Sequence, residues 1–236
     1  MNVYDYILTE KKAGRRLLAV LTDPDKGLPP AEAILDCADL LFVGGSTGSV
    51  SDEYMAALRC RTTRPIVLFP GNLSQINEQA DALLFLSLMN SRDAEMLVGR
   101  HIRVAERLIH SPLEVIPMGY ILIDGGKMSS VARVSQSEPL AQNRVEDICH
   151  IAAAAELLGK KLVYLEAGSG ADKSVGVDIV RAVKATISVP LIVGGGIRTM
   201  EKMQELYRAG ADIIVIGNHF EQHPEQIHLF ADGKNG

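Results

Sequence analysis

The stretch Pro190-Leu-Ile-Val-Gly-Gly-Gly-Ile-Arg-Thr199 is followed by a helix-patterned run and then by Ala211-Asp-Ile-Ile-Val-Ile-Gly-Asn218. Two short runs rich in β-branched residues thus end in glycine, and the pattern predicts two buried parallel strands joined by one helix. Glycine lets the main chain approach an anion closely, and the N-terminus of a following helix favours negative charge. Loops after the seventh and eighth strands of (β/α)8 barrels often bind phosphate in this way. Two such turns in adjacent units favour a phosphate site over glycines that merely end strands.

Strand-like and helix-like segments alternate along the whole chain, which predicts a parallel sheet. Eight strands are predicted, at 17–21, 40–43, 65–69, 82–88, 113–123, 162–165, 191–193 and 213–216. Eight units favour a closed barrel over an open sheet, so we expect an α/β fold of the (β/α)8 type, with residues 1–236 forming a single domain.

Two segments depart from a regular barrel pattern. The connection Asn72 to Ala80 is too short for a full crossover helix, so we expect the third helix to be missing or irregular. The run Asp124 to Arg144 contains Gly, Ser, Gln and Pro and shows little periodicity. A loop of that length inside a compact domain is usually functional, and we interpret it as a lid.

Composition excludes several classes of protein. The chain has 236 residues with a formal net charge of -5, and it offers no basic surface for nucleic acid. Its three cysteines are far apart and lack metal-ligand spacing, which is typical of reduced thiols in a cytoplasmic protein. No apolar run approaches the roughly 18 residues needed to span a bilayer, so we expect at most transient membrane contact to collect an apolar substrate.

Asp23 follows the first predicted strand, in the sequence Thr22-Asp-Pro-Asp-Lys26. A carboxylate repels a diphosphate unless a hard divalent ion bridges the two groups. We therefore predict that Asp23 binds Mg²⁺, with Ser46 as an oxygen partner at the end of the adjacent strand. The alternative is that Asp23-Pro24 is only a turn that leads into a helix.

Tyr164-Leu-Glu-Ala-Gly-Ser-Gly170 follows the same logic at the sixth strand. Strand alternation puts Tyr164 and Glu166 on one side, and a carboxylate pointing into an apolar barrel needs a polar ligand. We predict that Glu166 accepts hydrogen bonds from a bound polyol, while the main chain of Gly168 to Gly170 completes the phosphate site. A Glu paired with a nearby Arg or Lys is the alternative.

Seven motifs, in order over nearly the whole chain, resemble those of the geranylgeranylglyceryl phosphate synthase family, in the longer branch of PcrB-like prenyltransferases found in archaea and Bacteroidetes. They are Leu21-Thr-Asp-Pro-Asp-Lys26, Val43-Gly-Gly-Ser46, Leu68-Phe-Pro-Gly71, Glu114-Val-Ile-Pro-Met-Gly-Tyr120, Tyr164-Leu-Glu-Ala-Gly-Ser-Gly170, Val193-Gly-Gly-Gly-Ile-Arg198 and Val215-Ile-Gly-Asn218. The resemblance implies a barrel without the third crossover helix. It also implies Mg²⁺-dependent transfer of a prenyl group from a long prenyl diphosphate, such as geranylgeranyl diphosphate, to the 3-hydroxyl of sn-glycerol 1-phosphate in ether-lipid synthesis.

The resemblance also assigns residues to roles. It implies Mg²⁺ on Asp23 and Ser46, catalysis by Glu166 with Tyr164, and a homo-oligomer. The implied glycerol phosphate ligands are Tyr164, Leu165, Glu166, Ala167, Gly168, Ser169, Gly170, Gly195, Gly196, Gly217 and Asn218. Arg133, in the predicted lid, stands where the family resemblance leads us to expect an aromatic residue.

The prenyl chain needs an apolar groove. Pro117 and Gly119 interrupt the long apolar run of the fifth strand, so we expect that strand to bend at the pocket. The predicted groove residues are Ser87, Pro117, Gly119 and Tyr120.

Two other classes of function are compatible with a phosphate-binding barrel. A phosphosugar isomerase would need an acid/base pair at a carbonyl, and an FMN-dependent oxidoreductase would carry a yellow cofactor. A barrel that only binds a phosphorylated ligand would have no use for a metal beside that ligand. The combination of Asp23, Ser46 and Glu166 argues against this last alternative.

Overall fold

Eight parallel strands form a closed barrel in which each strand pairs with its neighbours in the sequence and β8 pairs with β1. The computed structural model describes residues 2–29, 32–45 and 48–234. The strands are β1 (Leu17–Thr22), β2 (Leu40–Val43), β3 (Ile66–Leu68), β4 (Ala82–Leu88), β5 (Glu114–Leu122), β6 (Leu162–Glu166), β7 (Leu191–Gly194) and β8 (Ile213–Ile216). The predicted fold class is confirmed.

Helices surround the barrel. They are α1 (Val3–Lys12), α2 (Glu32–Cys37), α3 (Asp52–Arg61), α4 (Arg100–Ile109), α5 (Ser130–Ser135), α6 (Val145–Leu157), α7 (Val177–Thr186), α8 (Met200–Ala209), α9 (Asn218–Gln222) and α10 (Ile227–Gly233). A π-helical turn at Glu95–Gly99 precedes α4 directly. Local signals start and stop these helices: the Thr199 hydroxyl accepts the N–H of Lys202 at the start of α8, and Gly210 ends it at φ +116°.

The barrel is buried on both faces, because its inside is packed with side chains and its outside is covered by helices. On β6, Leu162 and Tyr164 pack inside the barrel, whereas Val163 and Leu165 pack against the helical layer. Gly194 on the neighbouring strand leaves room for Tyr164, since a Cβ there would overlap the Tyr164 hydroxyl. A large aromatic ring thus fills the barrel interior at a point where the adjacent strand has no side chain.

The connection between β3 and β4 contains a 3₁₀ turn at Leu73–Gln75 and no α-helix, so the expected loss of the third crossover helix is confirmed. The buried amide of Gln75 holds this connection to the neighbouring loop. Its Nε2 donates to the carbonyl oxygens of Gly45 and Gly48 at 2.9 and 3.0 Å, and its Oε1 accepts the N–H of Gly71 at 2.7 Å. The Gln75 side chain therefore fixes this connection through hydrogen bonds, in place of the packed helix found at other connections of the barrel.

The fifth strand continues through both residues that were expected to bend it. Phe85 pairs with Pro117 and Ser87 with Gly119 in one unbroken parallel register. Pro117 and Gly119 therefore do not interrupt the strand, because the pairing with β4 continues across both positions.

Candidate functional site

A cavity opens at the carboxyl ends of the strands and has two chemically different sides. Most of its polar lining comes from the β1, β6 and β8 ends, namely Asp23, Lys26, Glu166, Ser169, Asn218 and Glu221, and Arg100 of α4 and Ser135 of α5 add two further polar side chains. Its apolar lining includes Phe69, Pro70, Leu86, Leu88, Met96, Tyr120, Val131 and Val134. In the closed ring β6, β7, β8 and β1 are consecutive, and β3, β4 and β5 lie opposite them. The cavity can therefore hold a molecule, or a pair of molecules, with one anionic part and one apolar part.

Glu166 is the central polar group of this cavity. Its side chain is only 6% exposed, and one carboxylate oxygen accepts the N–H of Gly168 at 2.6 Å. Burial raises the pKa of Glu166, although the nearby Tyr164 hydroxyl and the Gly168 N–H partly oppose this shift. In the part of the chain that the structure describes, no lysine or arginine forms an ion pair with Glu166, so the alternative of a structural ion pair is excluded there.

Tyr164 lies below Glu166 inside the barrel. It is fully buried, and its ring packs against Phe69 at 5.5 Å and Tyr120 at 5.2 Å between centroids. Burial and the Glu166 charge raise the pKa of Tyr164 well above its usual value. Tyr164 is not among the residues that line the cavity, and its direct contact with substrate stays a prediction. The Tyr164 hydroxyl partly opposes the rise in the pKa of Glu166.

The loops after β6 and β7 approach each other backbone to backbone. Gly168 and Gly195 adopt φ angles of +104° and +85°, and a Cβ on Gly195 would lie 2.6 Å from the Gly168 nitrogen. Glycine is required here because any side chain would separate the two loops.

The loop after β8 also lies close to the loop after β6. The Asn218 amide nitrogen lies 3.5 Å from the position that a Cβ on Gly170 would take. The structure thus brings together three of the predicted groups, 168–170, 195–196 and 217–218, as expected for a main-chain anion site. Leu165 and Ala167, which precede the first of these groups, pack their side chains into the outer core.

Asp23 lines the cavity and also caps a turn. Its Oδ1 accepts the N–H of Asp25 at 3.1 Å, at the start of the 3₁₀ turn Pro24–Lys26. Asp23-Pro24 therefore does form a turn, but the cap occupies only one of the two carboxylate oxygens of Asp23. Ser46, the predicted second metal ligand, lies outside the described residues.

Asp23 is compatible with a magnesium ion that arrives with an anionic ligand. Among the described residues, no three His, Cys, Asp or Glu side chains gather closely enough to hold a metal by themselves. Mg²⁺ is commonly held by one or two carboxylates, with substrate phosphates and water completing its octahedron. A single carboxylate at the rim of an anion site fits that pattern.

The predicted groove residues require correction. Ser87 and Gly119 face the helical layer, since the Ser87 hydroxyl bonds to Leu97 and a Cβ on Gly119 would meet Ala155 of α6. Pro117 shares their side of the sheet because it is two residues from Gly119. Of the four predicted residues only Tyr120 lines the cavity. Side chains alternate between the two faces of a strand, so for Ser87, Pro117 and Gly119 the prediction was one position away from residues that face inward.

The apolar wall instead comes from residues that the sequence analysis did not single out. Leu86 and Leu88 flank Ser87 on β4 and point inward, and Met96 comes from the π-helical turn. The predicted lid contains α5, whose Val131 and Val134 are three residues apart and line the same cavity. Alternation along β4 was a usable signal for the first two, but nothing in the sequence indicated the others.

Comparisons with known proteins place the chain in a family. Residues 9–234 match the PcrB family. The chain belongs to the PcrB family. A geranylgeranylglyceryl phosphate synthase from Zunongwangia profunda is 42% identical over 227 residues, which cover 93% of this chain and 97% of that protein. An archaeal protein of the same name, from Pyrococcus abyssi, is 40% identical over 225 residues, covering 92% of this chain and 88% of the relative.

A solved structure of a PcrB relative agrees with these matches. The crystal structure of (S)-3-O-geranylgeranylglyceryl phosphate synthase from Thermoplasma acidophilum, in complex with its substrate sn-glycerol 1-phosphate, superposes with a TM-score of 0.90. The two chains are 34% identical, and the match covers 99% of this chain and 98% of the other. The family resemblance seen in the sequence is confirmed, and so is the predicted enzyme class, a prenyltransferase. Among the described residues no helix has the length and apolar character to cross a membrane.

Two glycines with similar φ angles test how closely the loops must approach. Gly195→Ala places a Cβ against the Glu166 carboxylate and the Gly168 main chain, whereas Gly159, at φ +81°, has open space around it. We expect Gly159→Ala to lower the free energy of unfolding by about 1 kcal/mol from backbone strain alone. Gly195→Ala should cost roughly 1–3 kcal/mol more from the added overlap. Urea unfolding monitored by circular dichroism measures both, and equal losses would contradict the close approach.

Proposed function

We propose that this protein is a Mg²⁺-dependent geranylgeranylglyceryl phosphate synthase. It transfers the prenyl group of a long prenyl diphosphate, geranylgeranyl diphosphate in the first instance, to the 3-hydroxyl of sn-glycerol 1-phosphate, and forms an ether bond. The observation that carries this proposal is the single cavity in which Glu166, Ser169, Gly217 and Asn218 face an apolar wall. The names of the PcrB relatives and the ligand of the Thermoplasma structure support it.

The glycerol phosphate occupies the polar side in this proposal. The loops at 168–170, 195–196 and 217–218 offer main-chain N–H groups to the phosphate, as backbone nests do for other anions. The N–H of Gly168 already donates to Glu166, so it holds the carboxylate and is not free for the phosphate. The polyol hydroxyls then lie against Glu166, which accepts hydrogen bonds from them.

Glu166 removes the proton of the attacking hydroxyl. A carboxylate with a raised pKa is a better base than an exposed one, and Glu166 is held in one orientation by Gly168 and Tyr164. The bond between the glycerol oxygen and the prenyl C1 forms while the bond from C1 to the diphosphate oxygen breaks. The hydroxyl proton passes to Glu166, and diphosphate leaves. Positioning of the two substrates supplies much of the rate enhancement.

Asp23 is the described residue that would hold Mg²⁺, with Ser46 as its predicted partner. When bound, the ion neutralises charge on the diphosphate leaving group. Asp23 contributes a negative charge at the end of β1, on the polar side of the cavity.

The prenyl chain occupies the apolar side. Leu86 and Leu88 of β4, Met96 of the π-helical turn, and Val131 and Val134 of α5 offer it an apolar surface. This wall favours prenyl transfer over a phosphosugar isomerase, whose substrate is polar throughout. We also propose a homo-oligomer and transient membrane contact during loading of the apolar substrate; sedimentation velocity and vesicle flotation measure these two properties.

The substrate proposal is tested by mixing the protein with Mg²⁺, labelled sn-glycerol 1-phosphate and geranylgeranyl diphosphate. We expect label to enter an organic phase, because the product carries a long apolar chain. Replacing the acceptor with sn-glycerol 3-phosphate should reduce transfer strongly, since the anion site and Glu166 fix the handedness of the bound polyol. A yellow preparation that oxidises a reduced nicotinamide and transfers no label would point instead to the flavin enzyme.

Glu166→Gln tests the proposed base. We expect turnover to fall by roughly 10²–10⁴-fold, the range typical of a general base. In the unsubstituted protein, activity should be lost as pH falls through the raised pKa of Glu166, because only the deprotonated carboxylate accepts a proton. That acid limb should be missing from the residual activity of the variant. Glu205→Gln, at an exposed carboxylate paired with Lys202, is the matched control and should behave like the unsubstituted protein.

Asp23→Asn separates the metal role from the capping role. Asparagine keeps an oxygen that accepts the Asp25 N–H, but it loses the charge that binds a divalent ion. We expect an unchanged melting temperature and a rise of about tenfold or more in the Mg²⁺ concentration that half-saturates activity. An unaltered Mg²⁺ dependence would leave Asp23 with turn chemistry only.

A further inference from the structure

Behind the apolar wall of the cavity, a chain of hydrogen bonds joins three separate elements. The Lys160 ammonium, just before β6, donates to the Ser87 hydroxyl of β4 at 2.7 Å. The Ser87 hydroxyl in turn donates to the carbonyl oxygen of Leu97 at 3.0 Å. Leu97 belongs to the π-helical turn and is the immediate neighbour of Met96, which lines the cavity.

The π-helical turn is only partly held by packing. None of its residues is buried, although the partly buried Met96 packs against the apolar residues inside the barrel. Its other contacts are local: the Asp93 side chain accepts the Glu95 N–H, the Asp93 carbonyl oxygen accepts the N–H groups of Met96 and Leu97, Glu95 forms an exposed pair with Arg103, and α4 follows the turn directly. π-Turns are often found at functional sites, where a wider helical turn changes which side chain faces a ligand. Here the side chain concerned is Met96.

Lys160 reaches the Ser87 hydroxyl beside Gly119 of β5. Ser87 and Gly119 are direct partners in the register of β4 and β5. A Cβ on Gly119 would lie 2.6 Å from Ala155 Cβ, so glycine lets α6 pack closely on the sheet, and the Lys160 stem passes beside it, with Cγ 3.7 Å from that Cβ position. Ser87 and Gly119 are therefore important for the wall without lining it.

The position of Lys160 carries an energetic cost. Burial lowers the pKa of Lys160, and no carboxylate forms an ion pair with it among the residues that the structure describes. A half-buried ammonium that meets only a neutral hydroxyl is retained at the expense of lost hydration. Among the described residues, the ammonium donates its charge-assisted hydrogen bond to Ser87, which in turn bonds to Leu97.

We propose that Lys160 and Ser87 are positioning residues for the prenyl chain: together they hold the π-helical turn so that Met96 closes the apolar side of the cavity. This inference rests on the proposed function and specifies how its prenyl site is shaped. We call the chain of hydrogen bonds from Lys160 through Ser87 to Leu97 the tether. The inference assigns no contact with the glycerol phosphate, because the tether lies behind β4, on the opposite half of the ring from the β6–β8 loops.

The test compares Ser87→Ala and Lys160→Met with Lys161→Met in the full-length protein. Lys161 is the adjacent lysine, but its ammonium lies over the Tyr4 ring at 4.9 Å and does not reach the turn. Removing either hydrogen bond should raise KM for geranylgeranyl diphosphate by about fivefold or more. The preference for the C20 over the C15 diphosphate should fall, whereas KM for sn-glycerol 1-phosphate should stay within about twofold. The double variant should be no worse than either single one, because both belong to one chain of contacts.

Amide hydrogen exchange gives a readout that does not depend on the reaction. Exchange in a peptide spanning 93–100 should speed up in Ser87→Ala and Lys160→Met and stay unchanged in Lys161→Met. The proposal would be overturned by equal increases in KM for both substrates, or by unaltered exchange together with unaltered KM. If the unsubstituted protein transferred no prenyl group, the proposed function would fail instead, and exchange would still decide whether the tether holds the turn.

Discussion

A carboxylate buried at the top of an otherwise apolar barrel is the constraint on which the rest of the site depends. Glu166 continues the inward-facing series of β6, directly after Tyr164, and is almost fully withdrawn from water. Burying a charge in this way is unfavourable unless hydrogen bonds or a ligand compensate for it. The Gly168 N–H supplies one such bond, and the open cavity above supplies space for a polar ligand. The glycines of the following loops let the backbone come close enough to make this compensation.

The closed ring of strands explains why one cavity can serve two unlike substrates. Strands β6 to β1 end in glycine and polar residues, and the opposite arc of β3 to β5 ends in aromatic and aliphatic residues. The barrel holds these arcs a fixed distance apart across a single mouth. An anionic headgroup and an apolar chain can therefore meet without either entering an unfavourable environment, and the reacting atoms come together between them.

The same geometry gives the outward face of the sheet a role in the site. Parallel strands alternate their side chains strictly, so the residues between Leu86 and Leu88 and beside Tyr120 must face the helical layer. Ser87 and Gly119 occupy those positions and connect to Lys160 and the π-helical turn. Side-chain hydrogen bonds also fix the connection after β3, which is held by Gln75 rather than by a packed helix.

The sequence by itself determined the barrel, the loss of its third helix, and the cluster of glycines around Glu166. These features depend on local periodicity, on segment length and on glycine at strand ends, all of which are properties of short stretches. It also led to the correct family, because the seven motifs occur in order along the chain. Only the tertiary structure decided which face of β4 and β5 meets the cavity, and that Tyr164 lies beneath Glu166. It also showed that Val131, Val134 and Met96 complete the apolar wall. The reason is physical: a one-residue shift in alternation reverses inside and outside, and contacts between distant loops depend on strand register that no local pattern encodes.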